Sequence, residues 1–89
     1  LFPYDPQLCF KHFSIQMASG AISESTPHEK GVIEHVVVID GQLDLCVDGE
    51  WQSLNCGEGA RFAADVTHVY RNGGEQTVHF HSLIHYPRS

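Results

Sequence analysis

The chain is poor in basic residues: 5 Lys and Arg stand against 11 Asp and Glu in 89 residues, a formal net charge of −6. A protein that grips nucleic acid through its own surface needs a basic face to neutralise phosphates. Direct DNA contact is therefore not expected of this segment and would have to come from another domain. Long apolar runs are also missing. Nothing approaches the ~20 residues of a membrane-spanning helix, and Leu1-Phe2-Pro3-Tyr4-Asp5 has neither the basic nor the apolar region of a secretory signal. Cysteine is sparse and badly spaced for chemistry. Cys9, Cys46 and Cys56 cannot all pair, and no CxxC occurs, which argues against a zinc–thiolate site and for free thiols in a reducing cytoplasm. No stretch repeats at amphipathic helical spacing, and no phosphate-binding loop or nucleophile–base pair stands out. The chain starts without an initiator Met, and a fragment of a longer protein is the favoured explanation.

What is present is an ordinary globular composition, 42% hydrophobic and 18% charged, sufficient for one small domain over residues 1–89. Strand signals dominate. Leu1 to Pro6 reads as an extended lead-in. Cys9 to Met17 alternates, with Phe13, Ile15 and Met17 on one side. Ala21 to Pro27, rich in Ser and Thr, reads as a short strand leading to a loop. Val32 to Ile39 is β-branched almost throughout and apolar on both faces, which implies cover on both sides. Asp40-Gly41 and Asp48-Gly49 carry hairpin signals. Further short strands are expected at Glu50 to Leu54, Ala60 to Phe62 and His68 to Arg71, with a sharp turn at Asn72-Gly73-Gly74 and a last strand from Thr77 to Tyr86. Many short strands joined by glycine turns argue for an all-β sandwich or barrel.

Chemistry concentrates in two stretches. Seven histidines are many for this length, and His is both the commonest metal ligand and the group that titrates near neutrality. On extended backbone His28, Lys30 and Glu34 share one parity and can face one cavity, while His35 faces away. In the second stretch, Gly57 to Asn72, the residues His68, Tyr70 and Asn72 share a face. Parity alone leaves open whether His68 meets His28. In the last strand His79, His81 and His85 share one side. His81 reaches a pocket if that side turns inward; the alternative is a solvated outer face. Cys46 shares a face with Asp44 and Asp48 and is expected outward. Trp51 is expected to pack over the barrel or a partner.

These two stretches resemble the two sequence motifs of the cupins. The first motif, H-x-H-x(3,4)-E-x6-G, is matched by His28-x-Lys30-x3-Glu34-x6-Gly41. The second, G-x5-P-x-G-x2-H-x3-N, is matched by Gly57-x5-Ala63-x-Asp65-x2-His68-x3-Asn72. Lys30 departs from the first motif, and Ala63 and Asp65 from the second. The ends, Leu1 to Pro6 and Ile84 to Arg88, look like those of a cupin group that forms the C-terminal half of XRE-type (helix-turn-helix) bacterial regulators, so the similarity covers essentially the whole chain. The resemblance implies a jelly-roll β-barrel of two antiparallel sheets. It also implies a missing N-terminal DNA-binding domain, small-molecule sensing and pairing as a homodimer.

A full cupin site holds a divalent metal with three His and one Glu. Here Lys30 replaces one His. One reading keeps His28, Glu34 and His68 as three ligands with open positions, zinc first and nickel or iron as alternatives. The other lets Lys30 pair with Glu34 and repel a cation. The functional expectation is an effector-sensing domain, with Lys30 and His81 as ligand contacts and an amino-acid-like effector. The rivals are a small metal-dependent dioxygenase or isomerase, and a dimerisation module with a vestigial pocket.

Overall fold

The computed structural model describes residues 1–5 and 8–87, so the expectations for Pro6 and Arg88 lie outside the described residues. Nine strands form two antiparallel sheets. The strands are β1 (Phe2–Asp5), β2 (Phe10–Met17), β3 (Ile22–Ser25), β4 (Ile33–Asp40), β5 (Gln42–Val47), β6 (Glu50–Asn55), β7 (Gly59–Ala63), β8 (His68–Arg71) and β9 (Val78–His85). One sheet has the order β1-β2-β9-β4-β7, the other β3-β8-β5-β6. This is the expected all-β jelly roll. No helix among the described residues is long and apolar enough to cross a membrane.

The alternating residues of the strands meet between the sheets. Val36, Val38, Val78 and Phe80 from one sheet pack against Leu43, Leu45, Leu54 and Tyr70 from the other. A smaller cluster of Val32, Ala64 and Ile84 closes the core on the side where the loop before β4 arrives. Burying such side chains stabilises by roughly 1.5–3 kcal/mol each.

One of the two expected hairpin turns differs from its sequence reading. Asp48-Gly49 is a hairpin: β5 and β6 pair with Val47 opposite Glu50, and both turn residues have positive φ (50° and 84°). Asp40-Gly41 carries the same signal but is no hairpin. β4 pairs with β7 and β9, whereas β5 pairs with β6 and β8, so the chain crosses between sheets at Gly41. Gly41 has φ 87°, and a Cβ there would lie 3.1 Å from the Thr77 carbonyl oxygen and from Val78 Cα. Glycine is needed for a corner pressed against β9, not for a hairpin. The turn at Asn72-Gly73-Gly74 likewise links β8 to β9 across the sheets.

Three side-chain environments are set only by the packing. β9 places Val78, Phe80, Ser82 and Ile84 inward, and His79, His81, Leu83 and His85 outward. Cys46 lies on the outer side of β5, as its parity with Asp44 implies, but is buried there because Trp51 and Val69 flank it in register on the neighbouring strands. Trp51 is half exposed and lies under the Arg71 guanidinium, 4.1 Å from its ring centre. The outward residues of β4, Val37 and Ile39, are exposed in the single chain, so only the inner face of this strand is covered.

Candidate metal and ligand site

His28 sits in the loop before β4. Its backbone N–H donates to the Ala64 carbonyl (2.8 Å), and Ala64 N–H donates to Val32 O (2.8 Å). Those two bonds clamp the loop to the end of β7 and hold the His28 ring over His68, with ring centres 5.7 Å apart. Glu34 is the second residue of β4 and points inward, 2% exposed. His68 opens β8 and is 1% exposed, with Tyr70 on the same face.

The carboxylate of Glu34 is held asymmetrically. Oε2 accepts from the Tyr70 hydroxyl and from Ser82 Oγ (2.9 Å). Oε1 is left facing His68 Nε2 at 3.6 Å. On the other side of the ring, His68 Nδ1 lies 2.9 Å from the Val66 carbonyl oxygen. A carbonyl can only accept, so Nδ1 carries the proton and Nε2 presents a bare lone pair in the neutral ring. His68 Nε2 is buried and has no hydrogen-bond partner among the described residues. Two electron-rich atoms therefore face each other in a dry site, an arrangement that costs free energy unless a cation joins them.

The residues present fit a divalent metal. Ligand atoms of His28, Glu34 and His68 all lie within 4.8 Å of one another. Bonds of about 2.0–2.2 Å would bring them to roughly 3–3.5 Å, a small inward shift of side chains. The set of two imidazoles and one carboxylate suits zinc, iron or nickel. Burial, the His68 ring and Lys11 all hold His28 below the usual histidine range, which keeps it in the neutral form that ligates. Burial pushes the Glu34 carboxyl up, partly opposed by the Ser82 hydrogen bond and by His68. The Val66 carbonyl behind His68, with Tyr70 and Ser82 behind Glu34, are the outer partners that orient metal ligands.

Lys30 is not brought to this cluster. Val32 N–H donates to Glu29 O (3.2 Å) and Gly31 has φ 91°, so residues 29–32 form a tight turn rather than extended chain. The parity that places Lys30 beside His28 holds only for a strand. Its side chain is exposed, lines no part of the cavity, and makes no ion pair with Glu34 among the described residues. His81 is also elsewhere. It lies on the outer face, with Nδ1 3.0 Å from His12 Nε2. Sequence reasoning missed Ser82; its signal was a lone hydroxyl in the inward register of Val78, Phe80 and Ile84.

A cavity of about 560 Å³ opens beside the cluster. His28, Glu34, Tyr70 and Ser82 line its polar end, and β2 and β3 supply most of the remaining wall.

Comparison with known proteins agrees with this architecture. The cupin domain family model (Cupin_2) matches residues 13–84. The chain is 96% identical over 89 residues to an HTH-type transcriptional regulator, SutR, of Escherichia coli (strain K12), and covers 50% of that protein. It thus spans about half the length of the curated relative it matches. Among solved structures, a Cupin_2 domain of an XRE family transcriptional regulator from Enterobacter cloacae is 64% identical. Its TM-score is 0.97, with 99% of this chain and 93% of that one covered. An HTH_3 family transcriptional regulator from Vibrio cholerae is 34% identical with TM-score 0.94, and 99% of this chain matches 49% of it.

Proposed function

This chain belongs to the cupin family, and we propose that it is the effector-sensing domain of a DNA-binding transcriptional regulator, with a divalent metal held by His28, Glu34 and His68. The observation that carries the metal is the orphaned His68 Nε2 facing Glu34 Oε1 at 3.6 Å. Zinc is the first candidate, nickel or iron the next. When bound, the metal supplies a Lewis-acidic centre with open positions for an effector oxygen. The chain's own residues do the rest: Val66 orients His68, Tyr70 and Ser82 orient Glu34, and the adjoining cavity leaves room for the effector.

The regulator reading rests on the relatives, each named as a regulator and each about twice as long as this chain where it is more than an isolated domain. DNA contact then falls to an N-terminal helix-turn-helix domain, consistent with the net charge of −6 here, and the protein works in the cytoplasm. The exposed Val37 and Ile39 on the outer sheet face suit a homodimer contact. Effector binding must favour one dimer arrangement over another, since equal affinity for both shifts nothing.

The test is metal content. Protein incubated with zinc or nickel and desalted should retain about one ion per chain, and His68→Ala should retain none. Metal-free wild-type protein would refute the site. One observation favours a second reading: two His and one carboxylate with open positions is the ligand set of non-haem iron oxygenases. Turnover by the iron-loaded chain would establish the enzyme instead.

A further inference from the structure

We infer that the cavity selects an amphipathic monoanion: an oxygen-donor head at the His28–Glu34 end and an apolar body along β2 and β3, without a charged amine. The inference rests on the proposed metal site and specifies what binds beside it.

The wall away from the metal ligands is apolar, built by Phe13, Ile15 and Met17 of β2 with Ile22 of β3 and Phe80 of β9. Phe13 is 40% exposed and Ile22 61% exposed. Large apolar side chains left open at the rim of a cavity mark surface that a ligand covers. The volume of about 560 Å³ is that of a small-molecule site, within the usual range of about 300–1,000 Å³. That size, with the ligating cluster at one end, favours a small molecule over a peptide segment.

The charge of the ligand follows from what does not line the cavity. Among the described residues no Lys or Arg lines it, and Glu34 is the acidic one. Lys11, whose charge reaches His28, lies over the Tyr86 ring, so the metal at His28, Glu34 and His68 is the cation placed to balance a carboxylate head. An ammonium carried along the body of the ligand would meet the apolar wall, with no carboxylate left free to receive it. Glu34 Oε2 is already occupied by Tyr70 and Ser82. The remaining polar lining, Gln16, Ser23 and Ser25, is neutral. A body bearing a cationic group fits poorly, and Lys30 is not there to receive a carboxylate.

Straight-chain carboxylates from acetate to octanoate, titrated calorimetrically into the zinc-loaded chain, test this. Affinity should rise about fourfold per added methylene until the cavity is filled. The pair hexanoate and 6-aminohexanoate, which share a chain length and differ by an ammonium at the end away from the carboxylate, should differ at least tenfold in favour of the former. Ile22→Glu, at an exposed position, should flatten the series while leaving zinc stoichiometry unchanged. Zinc uptake with a flat series, or 6-aminohexanoate binding as tightly as hexanoate, overturns this inference alone. Failure to take up zinc overturns both it and the metal site. A change of oligomer size in Ile22→Glu, showing that a second copy covers the rim, also overturns it.

Discussion

Glu34→Gln should stabilise the metal-free chain and abolish its metal response. Gln keeps the length and shape of the side chain. Its carbonyl can accept from Tyr70 and Ser82 as Oε2 does, and its amide group then takes the place of Oε1, 3.6 Å from His68 Nε2. A repulsive pair of acceptors becomes a donor facing an acceptor, and a buried charge is removed. Satisfying one buried polar atom is worth about 1 kcal/mol, which for a domain of this size raises Tm by roughly 4–8 °C. The gain depends on pH. Burial raises the Glu34 carboxyl above 4.5, so the wild-type penalty appears above that pH and grows as the carboxyl ionises in the folded state. The advantage of Gln should be largest near pH 8 and fade toward pH 5. With zinc at a hundred times its Kd, the wild type should gain about 2.7 kcal/mol and the variant nothing. Calorimetric melts with chelator and with zinc, at both pH values, measure all four numbers. If the variant is less stable than the wild type without metal, the carboxylate is instead held by a protonated His68, and the reasoning that places a cation between them fails.

Two further outcomes follow from the fold. Gly41→Ala forces a side chain onto φ 87° and against the Thr77–Val78 backbone at 3.1 Å, so unfolding in urea should show a loss of about 1–3 kcal/mol. An unchanged midpoint would mean that the corner between β4 and β5 is not pressed on β9. In the metal-free chain, His12, His28 and His35 are all held below 6.5, in each case chiefly by burial. The unfolded chain then takes up protons first, so stability should fall as pH drops from about 7.5 through 6.5. Glu34, whose folded carboxyl is raised, acts oppositely between that raised pKa and 4.5. The urea midpoint should therefore decline on acidification, more steeply in Glu34→Gln, and a midpoint that rises between pH 7.5 and 6 would refute the assignment.

Composition and alternation alone determined that this chain folds as all-β. Strand period is a local property of the chain, and β2, β4, β6 and β9 stand within about two residues of their expected positions. The residue types of the site were also legible: His28 and Glu34 in one motif and His68 in the other. Which of their neighbours join them was decided by the tertiary structure. Lys30 shares parity with Glu34, but parity has meaning only on extended backbone, and the Glu29–Val32 turn swings it out. Asp40-Gly41 looks like Asp48-Gly49 in sequence. Only the pairing partners of β4 and β5 separate a corner between sheets from a hairpin. Which side of β9 faces inward was equally beyond reach of alternation. The opposite sheet chose it, turning Ser82 toward Glu34 and His81 toward His12. Alternation specifies which residues share a side; burial against a second layer specifies which side is inside.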